Sequence, residues 1–219
     1  MRNICLVNGS LRGKNAASLE FLKDIDRRIP GSEYSKTVIT VSAKVNEQYP
    51  ESILKSLAGA DAIIFIFPLH NYGLPGALMR LLEDYHQYVQ HGNIHQESSV
   101  YVIINCAFPR PERTCGEAIR VMHNVCRRLT LKWRGALCIG TGPVVVITKK
   151  IPFLYPGLKK AYSEIISDIR APDKKILTDY FIKPILPESV IAAIKRYYEK
   201  KGKMIVPDNK SRQAKTVLH

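Results

Sequence analysis

The stretch Ala62-Ile-Ile-Phe-Ile-Phe-Pro-Leu-His-Asn-Tyr-Gly-Leu-Pro-Gly76 decides how the rest of the chain is organised. Its first six residues are apolar without alternation, which is typical of a parallel strand covered on both faces. Pro68 ends this run because proline cannot donate to a sheet ladder. Pro75 and Gly76 then open a predicted helix, since the first helical turn tolerates the missing N–H of proline. The loop between them therefore leaves the carboxyl end of a buried strand, where open α/β sheets bind ligands.

Strand and helix patterns alternate on both sides of this stretch. The predicted strands cover residues 4–7, 37–41, 62–67, 100–104 and 133–139, and the predicted helices cover residues 16–29, 51–58, 75–90 and 115–129. Such alternation predicts an α/β fold with helices on both faces of a parallel sheet and right-handed crossovers. We therefore predict a three-layer α/β/α sandwich with a five-stranded parallel sheet.

The last third of the chain is less regular. Residues 144–147 can extend the fifth strand or pair at a sheet edge, and residues 157–169 and 187–201 have helical patterns. We predict one main domain over residues 1–150. Residues 151–219 would form a helical C-terminal extension with a basic tail, packed on the same domain.

Charge is concentrated in that last third. The 219-residue chain has a formal net charge of +14, and residues 148–219 contribute 16 Lys and Arg against 7 Asp and Glu. A basic tail is found in proteins that contact nucleic acid or anionic membranes. A solvated surface that attracts anionic ligands is the interpretation we favour. The sequence has no apolar run near the ~20 residues of a membrane helix and no secretion signal, so we expect a cytoplasmic protein without a membrane partner.

The five cysteines are spaced too widely for common metal motifs. They are Cys5, Cys106, Cys115, Cys126 and Cys138, and no C-x-x-C pair occurs. This spacing argues against zinc-ribbon and iron–sulfur sites, so no metal is predicted. Reduced thiols are expected, with Cys5 and Cys138 in the core because they lie in predicted strands.

The first loop, residues 8–15, follows the first predicted strand and reads Asn-Gly-Ser-Leu-Arg-Gly-Lys-Asn. It matches neither the dinucleotide fingerprint G-x-G-x-x-G nor the P-loop G-x-x-x-x-G-K-[ST]. Ser10, Arg12, Asn15 and Ser18, together with a helix N-terminus, would suit a phosphate monoester. The alternative is a tight turn in which Ser10 or Asn15 caps the helix.

The second loop, residues 69–74, meets the first loop if the strands follow the flavodoxin-like order 2-1-3-4-5. Residues 8–12, with Asn15 and Ser18, resemble the phosphate loop of the NADPH-dependent FMN reductase family. Residues 67–78 resemble that family's flavin-ring loop, and the resemblance covers residues 1 to about 142. One departure is His70-Asn71, where an aromatic pair is expected. The compact cysteine motif of iron–sulfur relatives is also absent.

The resemblance implies non-covalent FMN, reduced by NADPH or NADH. Its cofactor-binding residues would be Gly9, Ser10, Arg12, Asn15 and Ser18 from the first loop and helix, Pro68, Leu69, His70, Asn71, Tyr72 and Gly73 around the second loop, and Asn105 and Cys106 from the third loop, residues 105–113. Backbone amides of residues 68–73 would line the flavin ring, and Tyr72 or His70 would cover one ring face. For Arg110 and Arg113 two alternatives are open: they contact the phosphate of a nicotinamide nucleotide, or they are ordinary solvated charges.

The leading hypothesis is an oxidoreductase that passes hydride from NAD(P)H to bound FMN and then to a small-molecule acceptor. The acceptor can be a quinone, a nitro or azo compound, a flavin or a metal, and no obligatory acid or base is predicted. The resemblance also implies a homodimer, with the helix carrying Leu78, Leu81 and Leu82 or the C-terminal extension as the contact. Two alternatives are a flavodoxin-type electron carrier and a non-catalytic binding module whose basic tail contacts nucleic acid.

Overall fold

Six parallel strands form a single sheet in the order β2-β1-β3-β4-β5-β6. The computed structural model describes residues 1–12, 16–41, 47–92, 97–148, 151, 154–172 and 176–200. The strands are β1 (Arg2–Asn8), β2 (Tyr34–Thr40), β3 (Ala62–Pro68), β4 (Ser99–Asn105), β5 (Lys132–Ile139) and β6 (Tyr180–Ile182). All neighbouring strands are parallel, which confirms the parallel arrangement and the predicted order of the first five strands, although the sheet has six strands and not the predicted five.

Helices cover both faces of this sheet, as predicted. They are α1 (Ala17–Asp26), α2 (Glu51–Ala58), α3 (Gly76–Gln90), α4 (Gly116–Arg128), α5 (Gly142–Thr148), α6 (Leu158–Arg170) and α7 (Glu188–Lys200), and a short 3-10 turn covers Pro111–Arg113. No helix among the residues described is long and apolar enough to cross a membrane.

The region after β5 differs from the sequence prediction in two ways. Residues 144–147 belong to helix α5 and not to a strand; a short apolar run cannot by itself distinguish a buried helix from a buried strand. The C-terminal extension is not purely helical, because Tyr180–Ile182 adds a sixth strand beside β5. The described part of the extension thus shares the sheet with the first part of the chain.

The core consists of two apolar layers that meet at the sheet. Ile63, Phe65 and Phe67 of β3 face the layer formed with α2, α3 and α4, whereas Ile64 and Ile66 face the layer formed with α1, α5 and α6. All five side chains are at most 1% exposed. A strand buried on both faces explains the lack of alternation in the sequence.

The leucines of α3 are part of this core. Leu78 and Leu81 are fully buried and Leu82 is 3% exposed within the single chain. They pack against the sheet, so a dimer contact of this helix, which stays a prediction, would have to use its other side chains. Their helical spacing reflects packing within the chain.

A buried ion pair fastens the C-terminal extension to the sheet. The Arg134 guanidinium on β5 donates from Nε and Nη2 to the Asp168 carboxylate on α6, at 2.8 and 2.6 Å. The Tyr101 hydroxyl on β4 donates to the same carboxylate at 2.7 Å. Arg134 and Asp168 are only 6% and 5% exposed, so the two opposite charges are paired away from water.

We expect Asp168→Asn to destabilise the fold by about 3 kcal/mol, because it removes the carboxylate charge that faces the buried Arg134 guanidinium. Urea unfolding followed by circular dichroism measures this loss. The matched control is Glu117→Gln, which removes one partner of the exposed pair between Glu117 and Arg120 and should change the midpoint little. Equal midpoints for the two variants would contradict the structural role given to Asp168.

Candidate functional site

The carboxyl ends of the central strands enclose a cleft of about 220 Å³. Its walls come from the first loop and α1, from the end of β3 and the second loop, from the third loop, and from the start of α5. Seven of the predicted cofactor-binding residues line it: Ser10, Arg12, Ser18, Pro68, Leu69, His70 and Asn105. The parallel sheet thus brings together the loops that the sequence analysis paired.

The first loop is held close to β3. The Gly9 N–H donates to the Ile66 carbonyl at 2.8 Å, and a Cβ atom on Gly9 would lie 2.7 Å from the Phe67 Cβ. The Ser10 N–H donates to the Asn8 side-chain oxygen at 3.2 Å. Glycine at position 9 therefore allows the loop to lie against β3.

Ser10 and the start of α1 offer hydrogen-bond donors to an anion. The Ser10 hydroxyl accepts from the Arg12 N–H at 3.4 Å and keeps its own proton for donation. The N-cap residue of α1 is Ala16, which provides no side-chain cap. A helix start without a side-chain cap leaves first-turn N–H groups for a ligand. The alternative in which Ser10 caps this helix is not what the structure shows; Asn15 lies outside the described residues.

Ser18 and Asn105 connect the first helix to the third loop. The Ser18 hydroxyl donates to the Asn105 side-chain oxygen at 2.7 Å, and both residues are buried. A hydroxyl has one proton, so Ser18 would have to give up this bond to donate to a phosphate. Its predicted phosphate contact stays a prediction, while the bond shows that Ser18 positions Asn105 in the cleft.

The second loop contains a tight turn over residues 70–73. The His70 and Gly73 backbone groups exchange two hydrogen bonds, at 2.9 and 2.8 Å. Asn71 and Tyr72 have φ angles of 47° and 64°, as the two central residues of a type I′ turn do. The Leu69 N–H donates to the Asn105 carbonyl at 2.9 Å. Because the N–H groups of Leu69, His70 and Gly73 are engaged within the protein, a flavin ring would have to share them.

The turn also places Tyr72 beside an aromatic residue of the third loop. The rings of Tyr72 and Phe108 are 8° from parallel, with centroids 6.0 Å apart. Both side chains are about half exposed, at 55% and 48%. Neither lines the cleft, but each follows closely on a residue that does. The pair therefore joins the second and third loops next to the cleft.

Cys106 is turned into the core and does not line the cleft. Its thiol donates to the Phe108 carbonyl at 3.3 Å and is buried. The hydrogen bond with Cys115 and the burial both raise the pKa of the Cys106 thiol, so the thiolate is strongly disfavoured. These properties suit a packing role.

Some predicted residues lie beside the cleft, and some residues that line it were not predicted. Gly9, Asn71, Tyr72 and Gly73 shape the two loops without lining the cleft, as do Arg110 and Arg113 in the third. The lining residues that were not predicted are Leu11, Ala17, Pro75, Gly76, Ala107 and Pro143. Pro143 follows β5, and its position at the same sheet edge was the available signal. Among the described residues, no cluster of His, Cys, Asp and Glu suits a metal ion.

The chemistry of the cleft fits FMN. Ser10, Arg12 and the α1 N-terminus offer donors and positive charge for a phosphate, and Pro68, Leu69 and Pro143 provide apolar walls for a flat ring. The Asn8 side-chain nitrogen is buried under the first loop and has no hydrogen-bond partner in the described part of the chain. A polar ligand or water would satisfy it.

Comparisons with known proteins bear on the fold. No family model matches the sequence, and no curated relative matches it. Among solved structures, the apo form of an NADH:FMN oxidoreductase (EMOB) has a TM-score of 0.58 at 10% identity and covers 80% of this chain and 94% of its own. An NADPH-quinone reductase from P. pentosaceus has a TM-score of 0.51 at 14% identity, covering 79% and 99%.

An FMN-dependent NADH-azoreductase from Bacillus anthracis, solved in complex with FMN, has a TM-score of 0.50 at 12% identity, covering 78% of this chain and 98% of its own. The parallel order of strands two, one, three, four and five agrees with these similarities. The chain has a flavodoxin-like fold. The candidate cleft lies at the switch point of that fold, where β1 and β3 are neighbours.

We expect Gly9→Ala to destabilise the protein by about 1–3 kcal/mol, since the added Cβ would overlap Phe67 and press on Leu78. Urea unfolding measures the change. Gly31→Ala is the matched control, because no atom lies within 4 Å of its added Cβ, and its stability should be unchanged or slightly higher. A neutral Gly9→Ala variant would mean that the first loop can move away from β3.

The cysteine thiols should be unreactive in the folded protein. All five are buried, and burial raises the pKa of Cys5 and of Cys126 to about 12. At pH 8 their thiolates are therefore far rarer than in the unfolded chain, where the pKa is about 8.5. We expect a disulfide reagent such as DTNB to react at least about a hundredfold more slowly before unfolding than after it. A thiol that reacts rapidly in the native protein would contradict this burial.

Proposed function

We propose that this protein is an FMN-dependent NAD(P)H oxidoreductase. The observation that carries the proposal is the meeting of the first and second loops in one cleft, with Ser10 and Arg12 on one wall and Pro68 and Leu69 on another. The names of the similar structures support it, since they include an NADH:FMN oxidoreductase, an NADPH-quinone reductase and an azoreductase in complex with FMN. At these identities the likeness itself extends to the fold alone.

Several groups of this chain would hold the cofactor. Ser10, Arg12 and the first turn of α1 would bind the phosphate, and the sequence adds Asn15 to them. Asn105, positioned by Ser18, would offer its amide to the ring edge. When bound, FMN supplies the capacity to accept a hydride from nicotinamide and to pass electrons to a second acceptor.

The protein's own part in the reaction would be to bind and orient. Pro68, Leu69 and Pro143 would exclude water from one side of the ring, and the acceptor would enter the same cleft after the nicotinamide leaves. His70 is exposed and lines the cleft, where it can contact either substrate. The proposal includes a homodimer and a cytoplasmic location. The physiological acceptor would be a quinone, a nitro or azo compound, a flavin or a metal, as predicted from the sequence.

The proposal is tested by titrating the purified protein with FMN and then adding NADH or NADPH without oxygen. We expect flavin absorption that stays with the protein after dialysis and is bleached by one or both nucleotides. A protein that binds no FMN would contradict the proposed site. Binding of FMN without reduction by either nucleotide would favour the electron carrier instead.

We expect Arg12→Ala to raise the Kd for FMN about tenfold to a hundredfold, because a charge-assisted hydrogen bond to phosphate would be lost. Fluorescence quenching of FMN on binding provides the measurement. Arg120→Ala serves as the control, since Arg120 lies on the exposed face of α4 and pairs with Glu117. The same loss in both variants would point to general charge attraction and not to a phosphate site.

A further inference from the structure

Helix α7 has a broad apolar stripe that is covered on one side only. Ile191 is 8% exposed and packs against Val144 of α5, with Ile194 beside it. Val190 and Tyr197 lie four residues before and three residues after Ile194, and they are 40% and 53% exposed, so they form the outer side of this stripe. The covered side attaches α7 to the rest of the protein.

Two further exposed isoleucines lie in segments outside α7. Ile185, just before α7, is 64% exposed, and its N–H donates to the Leu154 carbonyl at 2.9 Å. Ile151 is 39% exposed, and its carbonyl accepts from the Leu154 N–H at 3.2 Å. Both isoleucines therefore lie close to Leu154. We refer to Ile151, Ile185, Val190 and Tyr197 as the α7 patch.

Basic residues accompany this patch. Arg196 and Lys200 are exposed on α7, and neither forms an ion pair within the described part of the chain. Lys200 lies three residues after Tyr197 and therefore borders the patch, while Arg196 lies four residues before Lys200 and further around the helix. Residues 148–219 as a whole carry 16 basic against 7 acidic residues.

Three occupants can be compared by their chemistry. A second copy packed on the same patch by two-fold symmetry would bring Arg196 and Lys200 towards their own counterparts, on a chain that already carries a net charge of +14. Nucleic acid would use the basic residues but leave Ile185 and Val190 without an apolar partner. An anionic lipid surface meets both needs, because acyl chains accept the apolar side chains and headgroups attract the basic ones.

We propose that the α7 patch binds the surface of an anionic lipid bilayer, with α7 lying in the plane of the interface. The expectation of no membrane partner came from the absence of a long apolar run, and a helix that lies on a bilayer needs no such run. Its apolar side chains enter the headgroup region, and Arg196 and Lys200 remain at the level of the lipid phosphates.

This contact would bring the candidate cleft close to the membrane. Val144, which packs against Ile191 of α7, belongs to helix α5. The same helix begins at Gly142, and its second residue, Pro143, lines the cleft. An apolar compound dissolved in the bilayer would then have a short route to the cleft. The lipid contact itself does not depend on the proposed oxidoreductase function.

The test is flotation of the full-length protein with vesicles of phosphatidylcholine alone or mixed with phosphatidylglycerol, at low and high salt. We expect binding to the mixed vesicles only, weakened by salt. The triple variant Ile185→Ser, Val190→Ser and Tyr197→Ser should lower the partition coefficient by at least about tenfold. The double variant Arg196→Gln and Lys200→Gln should lower it about tenfold to thirtyfold.

The control is Val38→Ser, which removes an apolar side chain of similar exposure (53%) from the edge strand β2. It should bind vesicles as the unsubstituted protein does, and circular dichroism should show that every variant is folded. The proposal is overturned if the protein does not bind the mixed vesicles. It is also overturned if the triple serine variant binds them as well as the unsubstituted protein does, because attraction by the basic tail alone would then account for binding. Two other results would overturn it: a dimer in solution that the triple variant abolishes and the other variants retain, or binding to random duplex DNA but not to vesicles.

Discussion

The burial of β3 on both faces is the constraint on which the rest of the structure depends. Phe65 and Ile64 of this strand enter opposite apolar layers, so helices must cover the sheet from both sides. A parallel strand can be covered in this way only if each connection crosses back over a face of the sheet. Every loop that leaves a carboxyl end then falls on the same edge. The cleft is a consequence of this topology, and the side chains of the loops determine what it can hold.

Close packing between the loops turns this edge into a defined site. Gly9 allows the first loop to touch β3, and Gly142 allows the start of α5 to approach Asn105, where an added Cβ would lie 2.8 Å from the Asn105 Cβ. The Ser18 hydroxyl in addition donates a hydrogen bond to the Asn105 side chain. Groups fixed in this way lose little freedom when a ligand binds, so their contacts contribute more fully to affinity.

The sequence predicted the parts of the fold that depend on long apolar patterns. β1, β3 and β4 were located because a strand covered on both faces has few polar positions, whereas the second strand was located from its β-branched residues. The second loop was found because Pro68 and Pro75 mark its ends. The three residues of β6 carry no such signal, and the apolar residues of α5 suit a strand as well as a helix. Pro143 and the bond from Ser18 to Asn105 depend on how distant segments pack, which local patterns do not encode.

The C-terminal extension shows how one segment can serve two purposes. Asp168 fixes it to the sheet through a buried charge, and Ile191 packs α7 against α5. These contacts account for the inner face of the extension but not for Ile185, which is 64% exposed, or for the basic residues of α7. Isolated exposed apolar side chains need no explanation. Several of them near basic residues form a surface that is poorly solvated by water and that would repel a second copy of this basic chain. Anionic lipid satisfies both components, and for that reason the outer face of α7 is best understood as a surface for binding a membrane.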